Sequence, residues 1–365
     1  MTNINLRNVS DLIEKELIDL NQRNEIEQVL EKFSLDVTPH VLNVINASDK
    51  DGPVSMQFIP NISELEEHEN ELYDPIGDAS SSPLPGIIHR YSDRVLLNVI
   101  QTCAVYCRFC FRRENVGPGN KGLTPKQIDD AIDYIHENSD IWEVILSGGD
   151  PLMLSPRRLA SIIERLSSIP HVGVVRIHTR VPCVDPDKIN SELVSAIKKH
   201  KAAYIVIHTN HADEITPKVS NKLALLADAG IPLLSQSVLL RNVNDDSKIL
   251  TNLFRKLLEN RVKPYYLHHG DLAKGTSHFR TSIERGQEIM KELRGPVSGL
   301  CQPHYVLDLP GGYGKIPINY QYINQVSENT YQVDDVFGGT QIYNETTKQR
   351  NNETTKQRNN ETMKQ

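Results

Sequence analysis

Three of the five cysteines crowd into eight residues, Cys103-Ala-Val-Tyr-Cys107-Arg-Phe-Cys110. A [4Fe–4S] cluster normally takes four thiolates. Three leave one iron open, and an open iron can hold a substrate-like ligand. Zinc ordinarily needs a fourth Cys or His at recognisable spacing, and none follows nearby. A pure electron-transfer cluster would supply all four ligands, and structural thiols give no reason for the tight C-x₃-C-x₂-C spacing. Arg108, Arg112 and Arg113 bring positive charge that favours thiolates and offsets the charge of a cluster. Cys183 and Cys301 read as ordinary buried thiols. The odd total speaks against a disulfide framework.

A second feature is Asp308-Leu309-Pro310-Gly311-Gly312-Tyr313-Gly314-Lys315. Glycines remove side-chain bulk, so a lysine at the end of such a loop can approach a flat cofactor. Lysine amines form Schiff bases with pyridoxal phosphate. A phosphate-cradling loop is the rival, but the G-x-x-x-x-G-K-[ST] spacing is missing and no helix pattern follows. A plain surface turn also fits this segment taken alone.

Both features need elements to position them. Short apolar runs at Val95–Ile100, Val144–Leu146, Val172–Ile177, Tyr204–Ile207, Leu233–Leu239 and Tyr265–Leu267 read as buried strands. Helical patterns lie between them. Thr124-Pro125-Lys126-Gln127 is a capping box with proline at the first helical position. It leads into Ile128, Ala131, Ile132 and Ile135 on one face. Ser155-Pro156 opens a helix with Leu159, Ile162, Ile163 and Leu166 on one side, and Thr216-Pro217 opens another that ends near Gly230. Strands alternating with helices imply a parallel sheet. The expected fold is α/β, a partial (β/α)6 TIM-like barrel over residues 74–317. Its chemistry belongs at the carboxyl ends of the strands. The cysteines directly follow the first strand, and Ser147-Gly148-Gly149-Asp150 follows the second.

Around this barrel we expect a helical N-terminal preface (residues 1–73), with Leu12, Leu17 and Leu20 in its periodic pattern and an acidic run at Glu64-Leu65-Glu66-Glu67. A polar Pro/Ser/Gly stretch from Asp74-Pro75 to Pro85-Gly86 is expected to run over the surface. A short strand-rich extension (318–343) follows the barrel. Residues 344–365 repeat an octad with no apolar residue before Met363, which cannot bury a core and reads as a disordered tail. Hydrophobic residues make up 38% of the 365-residue chain and its formal net charge is −7. That suits a globular cytoplasmic protein with no general affinity for nucleic acid or membrane. No apolar run approaches the ~20 residues that span a bilayer.

Taken together, Cys103–Cys110, Ser147–Asp150, His268–Thr281 and Asp308–Lys315 resemble the lysine 2,3-aminomutase family of radical S-adenosylmethionine enzymes, from about Tyr73 to Ile318. The resemblance implies three cofactors: a [4Fe–4S] cluster on Cys103, Cys107 and Cys110, S-adenosylmethionine (SAM) on its open iron, and pyridoxal 5′-phosphate on Lys315. It implies that Arg90, Tyr91 and Arg94, in His89-Arg90-Tyr91-Ser92-Asp93-Arg94, hold the cofactor phosphate. Ser147, Gly148, Gly149, Asp150, His208 and Gln236 fall at SAM positions, with Arg180 a further candidate. Arg112 would pair with the substrate carboxylate, and Asp271 and Asp308 would grip its distal ammonium.

Two carboxylates suit an ammonium, so the resemblance implies an isomerase that interconverts L-lysine and β-lysine. An adenosyl radical would take a hydrogen from Cβ while the nitrogen migrates. It also implies an electron donor such as flavodoxin or ferredoxin, and a homo-oligomer. No cysteine follows Cys301, so the structural zinc site of longer relatives is not expected. Other readings stay open: another basic substrate such as arginine, β-lysine formation for elongation factor P, or a cluster-binding electron carrier or redox sensor without catalysis. The lysine-bearing loop differs from that of the elongation factor P β-lysylation protein.

Overall fold

The computed structural model describes residues 5–117 and 122–346. The chain forms two compact units, residues 1–319 and 320 onward. The first is built on a nine-stranded sheet whose strands follow one another in chain order. These are β1 (Ile87–Tyr91), β2 (Arg94–Ile100), β3 (Glu143–Gly148), β4 (Val174–Thr179), β5 (Ala203–His208), β6 (Leu233–Val238), β7 (Val262–His268), β8 (His304–Leu309) and β9 (Gly314–Pro317).

From β2 to β8 every pairing is parallel. A helix crosses over between each pair of these strands. The six expected strands are β2 to β7, each followed by a helix. The structure adds β8 as a further parallel strand, then β1 and β9 as antiparallel edges. Polar, charged or glycine residues shorten the apolar stretches of β1, β8 and β9, so none of them reads as an apolar run. The helix starts follow the chemistry of their caps. Thr124, Ser155 and Thr216 each accept a hydrogen bond from the backbone of the first turn, and each is followed by proline. The helix after Thr216 ends at Asp228, and Gly230 takes a positive φ of 81° just beyond it.

Side chains alternate across the strands, and this alternation makes a cavity. Val175, Ile177, Ile205, Ile207 and Leu267 point outward under the helices and are fully buried. Their neighbours Arg176, His178, His208, Gln236, Tyr266, His268, Asp308 and Lys315 face inward and line one cavity. A barrel filled with branched apolar side chains has a packed core. Here charged and polar side chains stand among the apolar ones on the inner wall, which encloses space.

The sheet curls until its two edges meet without pairing. The Tyr91 hydroxyl, at the end of β1, accepts a hydrogen bond from the Lys315 backbone N–H on β9 at 2.8 Å. The preface shares the barrel's core: Leu12, Ile26, Val41, Ile45 and Phe58 pack in one cluster with the strand and helix residues. Leu20 departs from its expected place, being 70% exposed at the start of a 3₁₀ turn. The stretch after Asp74 also departs from the surface path expected of it. Gly77 lies so close to the glycine loop that a Cβ there would stand 2.3 Å from the Gly312 nitrogen. Asp78 beyond it lines the cavity.

The second unit is an antiparallel three-stranded sheet of β10 (Ile323–Ser327), β11 (Thr330–Asp334) and β12 (Thr340–Asn344). The first residue of the expected tail, Asn344, ends β12, and the rest of the octad repeat from 347 lies outside the described residues. Among the described residues no helix is long and apolar enough to cross a membrane.

Tyr91→Phe tests the closure. It removes the acceptor of the Lys315 N–H and should lower stability by about 1 kcal/mol. The Lys315 amide should then exchange with deuterium faster than its neighbours; unchanged exchange at that amide would contradict the account.

Candidate functional site

The cavity measures about 570 Å³, within the range of small-molecule sites. Its lining includes all three clustered cysteines, the strand ends from Ser147 to Asp308, and Lys315. It extends to Arg94 and His304, the first residues of β2 and β8.

The cysteine loop hangs from the end of β2 and is held by the preface. Tyr106 N–H donates to the Asp36 carbonyl and Arg108 N–H to the Gln57 carbonyl, both at 2.9 Å. Beneath the loop, Glu64 is fully buried between Arg108 and Arg113 and pairs with both. Arg113 also donates to the Gly275 carbonyl at 2.7 Å, which ties in the loop after β7. Burial pushes the Glu64 carboxyl up, but the two guanidiniums outweigh it and hold it below the usual range. Arg108 and Arg113 are thus both engaged by Glu64, while the charges of Arg112 and Arg113 still favour the Cys110 thiolate.

The guanidinium that does reach a thiol is Arg180, at the end of β4, whose Nη1 lies 3.1 Å from Cys107 Sγ. Gln57 and Glu214 hold its other end, at 2.7 and 2.9 Å. Burial pushes all three thiols up, Cys110 to about 11, and the Arg180 charge offsets part of the effect at Cys107. Iron binding there displaces protons. Among the described residues no group of three Cys, His, Asp or Glu side chains converges on one point, as a single metal ion would need. A cubane has no such need, since each thiolate takes a different iron. Three cysteines lining a common cavity fit that group.

The turn after β3 packs directly on the end of β2. Gly148 has a φ of 113°, and Cβ atoms at Gly148 and Gly149 would stand 2.2 and 2.4 Å from the carbonyls of Ile100 and Thr102. Asp150 fixes this turn. Its carboxylate accepts from the Thr179 hydroxyl and from the N–H groups of Leu152, Arg180 and Val181. Its lone pairs are thus largely taken up inside the chain. Ser147, His208 and Gln236 line the cavity nearby, and the His208 Nε2 is buried without a partner, as is that of His178.

Arg112 and Arg90 share a carboxylate that sequence reasoning missed. Arg112 Nε and Nη2 donate to Asp78 Oδ2 at 2.9 and 2.8 Å, and Arg90 Nη2 reaches Asp78 Oδ1 at 3.2 Å. The Arg90 Nε is buried and unpartnered. The Arg94 guanidinium stacks 3.9 Å from the centre of the Tyr91 ring. Asp308 pairs with the ammonium of Lys315. His268, a second residue passed over, lies 3.2 Å from Lys315 Nζ and 3.3 Å from Asp308 Oδ2. Burial pushes the Asp308 carboxyl up, but the adjacent His268 ring and the Lys315 ammonium outweigh it and hold it well below the usual range. Asp271 feels the charges of Lys315 and Arg112 too, but they are outweighed. Burial, then the charge of Asp308, raises it to about 7, and its Oδ1 is buried and unpaired.

Comparison with known proteins now decides the family. A profile for the radical SAM superfamily matches residues 97–252, and one described as lysine-2,3-aminomutase matches residues 290–365. The L-lysine 2,3-aminomutase of Clostridium subterminale is 41% identical over 344 residues, covering 93% of this chain and 83% of the relative. The chain belongs to the lysine 2,3-aminomutase family. It is therefore an isomerase of the radical SAM superfamily, and membership implies a [4Fe–4S] cluster and SAM. The Fusobacterium nucleatum L-lysine 2,3-aminomutase is 39% identical over 330 residues, 90% of this chain and 77% of that protein. A glutamate 2,3-aminomutase from Clostridioides difficile is 40% identical over 309 residues, 85% of this chain and 72% of that protein. Overall identity thus does not separate lysine from glutamate as the substrate, and the cavity has to.

Glu64→Ala should leave two guanidiniums buried without a counter-charge. The expected cost is about 3–5 kcal/mol, seen as a lower urea midpoint, with less iron retained after anaerobic reconstitution. An unchanged midpoint would contradict the buttress role.

Proposed function

We propose that this chain is a pyridoxal phosphate-dependent aminomutase that interconverts L-lysine and β-lysine. One observation carries the choice of substrate. Asp308 holds a primary ammonium, that of Lys315, and beside it Asp271 has a buried oxygen with no partner. A substrate bearing a second ammonium satisfies both carboxylates, while a side-chain carboxylate there would meet two like charges.

The cluster and SAM supply a carbon-centred radical able to take hydrogen from an unactivated carbon. Pyridoxal phosphate supplies a carbonyl that takes the substrate nitrogen and a conjugated ring that stabilises the rearranging radical. Cys103, Cys107 and Cys110 would hold the cluster, with Arg180 offsetting charge at Cys107. Ser147, Gly148, Gly149, His208 and Gln236 would line the SAM seat, and Asp150 would position the glycine turn.

Arg90, Tyr91 and Arg94 would hold the phosphate, for which guanidiniums are well suited. The open Nε of Arg90 supports this. Lys315 would anchor the cofactor. Arg112 would bind the substrate carboxylate, with Asp78 fixing the plane of its guanidinium. The protein's contribution is to hold the substrate Cβ against the radical source and keep water out. A one-electron donor such as flavodoxin or ferredoxin would start the cycle.

The test is an anaerobic panel of L-lysine, L-arginine and L-glutamate on the reconstituted enzyme, with chiral analysis of the products. β-Lysine formation is expected, and turnover of glutamate with none of lysine would refute the assignment. A pH series adds a sharper expectation. Asp271 is neutral below about 7 and an anion above it. Because only the anion attracts an ammonium, KM for lysine should fall as pH rises through about 7. Asp271→Asn should flatten that dependence and raise KM roughly 30-fold or more, as expected when one partner of a buried charge pair is lost. A pH dependence that survives the substitution would remove Asp271 from the ammonium site.

A further inference from the structure

His268 stands where a base for Lys315 is needed. Its Nδ1 is 3.2 Å from the lysine Nζ, within the range of proton transfer. The three side chains meet on adjacent strands: His268 ends β7, Asp308 lies on β8 and Lys315 on β9. All are mostly shielded, with side-chain exposures of 18%, 13% and 23%. With Lys315 charged, its ammonium donates to the Asp308 carboxylate and to the Nδ1 lone pair, which places the ring proton on Nε2. A lysine held this way is a poor nucleophile, because its lone pair is occupied by a proton.

We propose that His268 is the general base that frees the Lys315 amine to attack a carbonyl carbon, and that returns the proton when the lysine is released. The inference rests on the reading of Lys315 as the cofactor anchor. The Nζ–H bond breaks and an Nδ1–H bond forms, and the electron pair left on Nζ becomes the attacking pair. The new imidazolium stays beside the Asp308 carboxylate, which stabilises it. No oxidant or other reactant is needed.

The surroundings suit the role. Burial, and then the Lys315 charge, lower the imidazole's affinity for a proton, while Asp308 pulls the other way. The ring is therefore neutral and able to accept near neutrality. The other titratable groups facing it are Tyr266 on its own strand, with ring centres 5.5 Å apart, and His178 and His208 on β4 and β5, both held neutral by burial. Asp271 couples to both Asp308 and Lys315.

The test uses the full chain isolated anaerobically without added cofactor. It is mixed with pyridoxal 5′-phosphate across a pH series and quenched with borohydride at timed intervals. Capture at Lys315 is followed by mass spectrometry, with Lys126, whose side chain is 83% exposed, as the internal control. The wild type should capture at Lys315 faster as pH rises through the imidazole range, then level off. His268→Asn keeps a hydrogen-bonding atom near Nδ1 but cannot take up a proton near neutrality. It should slow capture at Lys315 about tenfold or more near neutrality, leaving Lys126 unchanged. In His268→Ala, added imidazole should restore capture at Lys315 alone.

Wild-type rates in both variants would overturn the inference. So would a loss in His268→Ala that imidazole does not restore, since that assigns the ring to packing. Absence of capture at Lys315 in the wild type would instead overturn the reading of Lys315 as anchor, and this inference with it.

Discussion

A single buried carboxylate, Glu64, sets the position of the cysteine loop. It lies between Arg108 and Arg113, out of water, on a segment far from the loop in sequence. Removing three charges from solvent is expensive, and the pairing repays the cost only when the geometry is met. That makes the arrangement intolerant of displacement, which is what the cysteine loop would require if its three thiolates are to hold one cluster. Arg113 extends the same constraint to the loop after β7, where Asp271 and the Gly275 carbonyl lie. The cysteine loop and the loop after β7 are thus referenced to one point.

The barrel wall follows the opposite logic. Its outward faces are aliphatic and buried under helices, while its inward faces carry arginine, histidine, tyrosine, aspartate and lysine. A chain that filled this space with valine and leucine would gain apolar burial, at ~25 cal/mol per Å². This one leaves polar atoms of His178, His208, Arg90 and Asp271 buried without partners. Such orphans are costly in a folded protein and mark places where bound molecules complete the hydrogen bonding. Asp308 and Lys315 show a related economy: each serves as the other's counter-charge, and His268 gives the proton between them a third place to sit.

The parts that were legible in the sequence are those written in local patterns. Apolar runs marked β2 to β7, and capping residues marked three of the helices between them. Cysteine spacing and the glycine–lysine loop marked the two ends of the site. What was not legible depends on partners distant in the chain. Glu64 reads as one more acid in an acidic run, and only the fold brings it to Arg108. Asp78 sits in a polar stretch with every sign of a surface loop. Yet Gly77 packs on Gly312, and that contact turns Asp78 inward to Arg90 and Arg112. Arg180 gave no local sign of its contact with Cys107. His268 fell inside a segment that resembles the family, but nothing in its spacing tied it to Lys315. An acid placed shortly before the two arginines of His89-Arg90-Tyr91-Ser92-Asp93-Arg94 is the one signal that could have singled out Asp78.

The central claim is that this cavity sets the Cβ of a cationic amino acid against the radical source. L-Lysine deuterated at C3, incubated anaerobically with the reconstituted enzyme and SAM, tests it most directly, with mass spectrometry of the 5′-deoxyadenosyl group as the readout. The account predicts deuterium in that group when lysine is the substrate. An adenosyl group that stays free of deuterium while SAM is cleaved would contradict it.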